Sequence, residues 1–103
     1  MTYIEELQDV IHKLHGVRST HVSSVPVTEQ FKGETVWEGI VEVFELHGHP
    51  KATHAYAWTH NTDDPRQPKR SMTVLKIPPA ISPETAVRVA IMQEMRNAEA
   101  AEA

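Results

Sequence analysis

The sequence predicts an α+β domain in the order α-β-β-β-β-α: a two-layer α/β sandwich, with a four-stranded antiparallel sheet carrying both helices on one face. Three observations predict it. Helical periodicity is confined to the two ends of the chain, the middle alternates with a period of two, and Gly and Pro punctuate the alternating runs.

The first helix rests on Ile4, Leu7, Ile11 and Leu14, spaced by three and four, with Val10 beside them. Thr2 suits the N-cap, Glu5, Glu6 and Asp9 the positive end of the dipole, and Lys13 and His15 the last turn. Gly16 then fits the left-handed position that stops a helix. Ser19 to Thr28 reads as a strand with imperfect alternation, in which Val25 and Val27 share a face with His21 and Ser23. Pro26 has no N–H to give a ladder, so this strand belongs at an edge. Gln30 to Glu34 connects it to the next.

Thr35 to His47 is the longest strand. Trp37, Gly39, Val41 and Val43 share one parity, and then Phe44 and Leu46 break it. Either a bulge shifts the register or Ile40, Phe44 and Leu46 form a second apolar face; one buried face per strand favours the bulge. Gly48-His49-Pro50-Lys51 makes a turn, and Ala52 to His60 returns as the hairpin partner. Asn61 to Lys69 is a polar loop, in which Arg66, Lys69 and Arg70 offset Asp63 and Asp64 on a solvated surface. Arg70 to Ile77 is the fourth strand, closed by Pro78-Pro79. Ser82 as N-cap and Pro83 at the first helical position open the last helix, whose stripe is Val87, Ala90, Ile91, Met95 and Ala98. Residues 1–103 form a single domain with a frayed tail over 97–103.

Composition narrows the function. With 103 residues, 40% hydrophobic and 23% charged, the chain is globular and builds one modest core. No apolar run approaches the roughly 20 residues that span a bilayer, and the acidic amphipathic start is unlike an export signal. Cysteine is absent, which excludes thiol catalysis, disulfides and thiolate metal sites and favours the cytoplasm of a bacterium. A net charge of −4 gives no basic face for nucleic acid.

No catalytic residue set emerges. Ser19, Ser23 and Ser24 stand near His21 without a nucleophile elbow, and four glycines make no phosphate loop. Glu38 and Glu42 share a strand face, but about 13 Å apart they are solvent-facing rather than an acid–base pair. Of seven histidines, His47, His49 and His54 fall close together on one hairpin, which makes a zinc site a candidate. Their spacing fits no strict motif, and Pro50 puts His49 in the turn.

His54, Tyr56, Trp58 and His60 share a face of the third strand, opposite Thr53, Ala55, Ala57 and Thr59. Packing makes Tyr56 and Trp58 core beneath the helices. If the helices pack instead on Ala55 and Ala57, the aromatics and histidines form an open patch that marks a ligand or partner site.

The order of elements resembles the double-stranded RNA-binding domain, a helix, an antiparallel sheet and a final helix. That resemblance implies shape recognition of RNA through a basic cluster opening the second helix. Here the segment is Ser82-Pro83-Glu84-Thr85-Ala86-Val87-Arg88, with one base and one acid, and the family has three strands rather than four. Gly48-His49-Pro50-Lys51 stands where that family has its minor-groove loop.

The expected function is a non-catalytic cytoplasmic module that binds a partner protein or small ligand through His54, Tyr56, Trp58 and His60. A homodimer would use the fourth strand or the open sheet face. The alternatives are a small histidine- or zinc-dependent enzyme using His47, His49 or His54, and an RNA-binding-like module.

Overall fold

The computed structural model describes residues 2–61 and 65–102, with side chains described as far as Arg96. Helix α1 (Tyr3–His15) is followed by strands β1 (Arg18–Phe31), β2 (Glu34–His47), β3 (His54–Asn61) and β4 (Lys69–Leu75), and helix α2 (Pro83–Glu102) closes the chain. The strands make one antiparallel sheet in the order β1-β2-β3-β4. Residues 62–64 of the β3–β4 loop lie outside the described residues, as do the side chains of the tail expected to fray, whose backbone is helical through Glu102.

Local chemistry sets the element ends. Thr2 and Glu5 form a reciprocal capping box, each side chain bonding the other's backbone N–H at 3.2 Å, and Gly16 stops α1 at φ 73°. Lys32 (φ 52°) and Gly33 (φ 80°) turn β1 into β2 as a two-residue hairpin, tighter than the expected connection.

The helices lie on opposite faces of the sheet, so the expected arrangement of both helices on one face is corrected to three layers. Tyr56 and Trp58 pack with Val27, Val41, Ala86, Val87 and Ala90 beneath α2. Ala55 and Ala57 pack with Phe44, Leu46, Leu7 and Ile11 beneath α1. The cause is legible in β3 itself. Its two parities are both apolar, one small and one large, so each face can seat a helix. Neither face is left open at the centre of the sheet, which removes one of the two surfaces expected to carry a dimer; β4 remains an edge.

Strand β2 follows the same rule. Its residues run without a break against β3, Val43 opposite Tyr56 and Phe44 opposite Ala55. Phe44 and Leu46 therefore form a second apolar face, and β2 itself has no extra residue after Val43. The register does slip at that step, but the extra residue is Val22 of the partner strand β1, opposite Val43 and Phe44; a second slip has its extra residue at Val36 in β2. Val22 switches β1 between faces: His21 pairs Phe44 on the α1 side, and Ser23, Val25 and Val27 turn toward α2. Both bulged valines are exposed. Leu14 and Met95, expected on the helical stripes, are also exposed; Val17 takes the place of Leu14 beside the α1 core.

β1 is an edge, as Pro26 requires. Pro26 stands opposite Ile40 with its nitrogen away from β2, so no ladder bond is lost. Glu29, buried on the α2 face, bonds Arg88 Nε at 2.5 Å and ties the far end of β1 to α2.

Phe44 is fully buried and Ile40 is 48% exposed on the same face. Phe44→Ala is expected to cost about 3–5 kcal/mol in urea denaturation, against about 0.5 kcal/mol or less for Ile40→Ala. Equal costs would contradict the second apolar face.

Candidate functional site

The central seam of the sheet is short. β2 and β3 pair only from Glu42–Ala57 to Glu45–His54, with one further bond from Leu46 N–H to Thr53 C=O. β1–β2 pairing continues out to Phe31–Glu34 and β3–β4 pairing to Asn61–Lys69. Beyond the seam the two ribbons part, and the gap is a cleft of about 720 Å³. Trp37, Gly39, Ile40, Trp58 and His60 line it, with α2 contributing Ile91 and Glu94 and α1 contributing Tyr3 and Glu6.

Parting leaves backbone groups without a ladder, and side chains take them over. Thr53 C=O points to β2 and His54 C=O to β4, so by alternation Thr59 and Asn61 turn their backbone toward the missing partner. Thr59 N–H donates to the Tyr3 hydroxyl at 3.0 Å. Asn61 C=O accepts from His60 Nδ1 at 3.2 Å. A carbonyl only accepts, so Nδ1 carries a proton. His60 Nε2 is shut off from solvent and has no hydrogen-bond partner among the described residues; Glu94 Oε1 lies 3.9 Å away.

The wall of the cleft is an aromatic pair. Trp37 and Trp58 meet edge-to-face with centroids 5.8 Å apart. Gly39 makes this geometry possible: a Cβ there would lie 3.0 Å from Trp37 Cη2, so the indole rests on bare backbone.

The sequence-predicted residues divide between the two ends of β3. Trp58 and His60 line the cleft, and Trp58 is also core. Tyr56 is core beneath the start of α2, where burial and then the charge of Glu84 push its phenol pKa up. His54 lies at the opposite end of the strand, with Nδ1 2.9 Å from the Thr53 hydroxyl. His47 Nε2 meets the Thr20 hydroxyl at 2.6 Å. His49 Nδ1 accepts the N–H groups of Lys51 and Ala52, both at 3.0 Å, and so shapes the turn. Among the described residues no group of three His, Cys, Asp or Glu side chains is placed to hold a metal, and His47, His49 and His54 are not brought together as one.

Two clusters arise that the strand pattern did not foretell. His15 bonds the Thr73 hydroxyl at 2.8 Å and meets His49 ring-edge to ring-face at 6.5 Å. Glu42, expected at the surface, is buried, and its carboxylate accepts from Ser24 and lies 2.9 Å from His21 Nε2. A hydrolytic relay would put its carboxylate and its hydroxyl on different ring nitrogens. Here Nε2 faces both, at 2.9 Å from Glu42 and 3.5 Å from Ser24, so the cluster serves to satisfy a buried acid. The one base in the opening turns of α2, Arg88, pairs through Nε with Glu29, so no basic cluster opens that helix.

No family model, curated protein or solved structure matches the chain. On its own geometry the class is a three-layer α+β domain with a split sheet. No helix among the described residues is long and apolar enough to cross a membrane.

Gly39→Ala puts a methyl against Trp37, an overpacking cost of about 1–3 kcal/mol, against the roughly 0.5–1 kcal/mol that alanine gains over glycine in a strand. Net destabilisation with altered near-ultraviolet circular dichroism is expected; a more stable variant with an unchanged spectrum contradicts the stacking. His15 gives a pH effect. Burial first, and His49 second, lower its pKa below the ordinary value of 6.5. As pH falls, the unfolded chain takes the proton first. The stability that neutral His15 contributes is therefore complete above about 6.5, and is lost as pH falls from there through the lowered native pKa. In urea titrations His15→Gln is expected to flatten the decline as pH falls below about 6.5.

Proposed function

We propose that this chain is a non-catalytic binding module whose ligand is a small molecule carrying an aromatic or other flat apolar group, held in the cleft between β2 and β3. The split sheet carries this reading. A volume of 720 Å³ falls in the usual small-ligand range of about 300–1,000 Å³. Its wall offers an edge-to-face indole pair, its rim offers polar groups from both helices, and His60 Nε2 stands with its hydrogen-bonding capacity unused. The geometry of the Ser24, His21 and Glu42 cluster gives no relay, which supports binding over hydrolysis. A chain without cysteine suits a reducing compartment, and we read the module as cytoplasmic.

Fragments titrated against labelled protein and followed by two-dimensional NMR test the reading. The indole N–H of Trp37 and the amides of Thr59 and His60 are expected to shift together, and Trp37→Leu to weaken binding about tenfold. Shifts scattered over the surface, or a Trp37→Leu variant that binds unchanged, would sink it.

A further inference from the structure

We infer that the cleft selects an organic cation, a protonated amine or amidine on a flat apolar body, whose N–H groups are shared by His60 Nε2 and the Glu94 carboxylate; this rests on the small-ligand reading of the same cleft. His60 Nδ1 bonds Asn61 C=O at 3.2 Å. Because the carbonyl can only accept, the neutral imidazole has its proton on Nδ1 and a bare lone pair on Nε2. That lone pair has no donor, although the atom is buried. Glu94 Oε1, 3.9 Å away, is also an acceptor.

Two acceptors 3.9 Å apart repel each other unless a donor stands between them. Nε2 is screened from solvent in the ligand-free fold, so binding needs a local rearrangement that places a nitrogen about 2.9 Å from each acceptor. An ammonium or amidinium has at least two N–H groups to divide between them and a positive charge for the carboxylate. A hydroxyl has a single proton and satisfies one acceptor; an anion satisfies neither. The Glu94 side chain, on α2, is 56% exposed and has room to turn as a ligand enters.

The rest of the cleft has the same sign. Glu6 and Glu38 stand on its lining with Glu94, against Lys69 as the one lysine or arginine there. Trp37, backed by the buried Trp58, supplies the apolar wall on which a flat body rests. A cation beside indole rings gains further attraction from their negative faces.

Three matched probes separate this inference from the reading beneath it: 2-phenylethylamine, 2-phenylethanol and phenylacetate, titrated into the full chain at about pH 8, above the ordinary histidine range. Phenylethylamine is expected to shift the Trp37 indole and the His60 imidazole nitrogens, to bind at least about tenfold tighter than the alcohol, and to lose about tenfold in Glu94→Gln. Phenylacetate is expected not to bind. If the alcohol or the acid binds as well as the amine, the cation assignment falls and the cleft stands. If none of the three binds, both fall. The imidazole nitrogen shifts of the free protein are a second check independent of any ligand: an Nδ1–H tautomer with bare Nε2 is expected at that pH, and a doubly protonated ring would overturn the inference.

Discussion

The four-residue seam between β2 and β3 is the constraint on which this structure depends. Along Glu42 to Glu45 each β2 residue faces a β3 partner, and the alternation of side chains there fills both cores at once. Val43 and Tyr56 look toward α2; Phe44 and Ala55 look toward α1. Shifting this register by one residue would exchange the two cores, driving Tyr56 and Trp58 into the space that Ala55 and Ala57 leave for Leu7 and Ile11. Size complementarity therefore locks the register. Alanines admit one helix closely, and aromatics meet small residues (Ala86 and Ala90) on the other.

The cleft is the other side of the same constraint. A seam that stops at Glu42 leaves strand edges on both sides, whose backbone groups need other partners. Tyr3 and the His60 ring meet that demand with side-chain atoms. An ordinary helix-start residue and an ordinary strand-end histidine thereby become parts of a concave surface. Folding and binding chemistry share these residues, so the cleft has few positions that answer only to a ligand.

Element identity was legible because it is written in local chemistry. Thr2, Glu5 and Gly16 bound α1, Pro83 opens α2, and Pro26 marks the edge, all through effects within a few residues. The placement of the helices was not legible. β3 presents four consecutive apolar residues, Ala55 to Trp58, and alternation cannot say how many faces are buried when both parities are apolar. Glu42 reads as solvent-facing because it shares a strand face with Glu38, four residues away; buried, it is satisfied by Ser24 and His21 across the sheet. Of the site, Trp58 and His60 were visible as an aromatic and histidine face on β3. Trp37, Tyr3 and Glu94 join them only through the parting of two ribbons, which no spacing along the chain encodes.

The bond from Glu29 to Arg88 has a mechanical meaning. A long hairpin joined to its neighbour over four residues is a lever, and small changes of twist at the fulcrum would swing its outer end widely. The ion pair lies beyond the fulcrum, on the stretch of β1 that flanks the cleft, and fastens it to α2. It is a strut. The gap between the ribbons is held at a set width by a tie across the third layer, so the gauge of the cleft is fixed by two residues that do not line it.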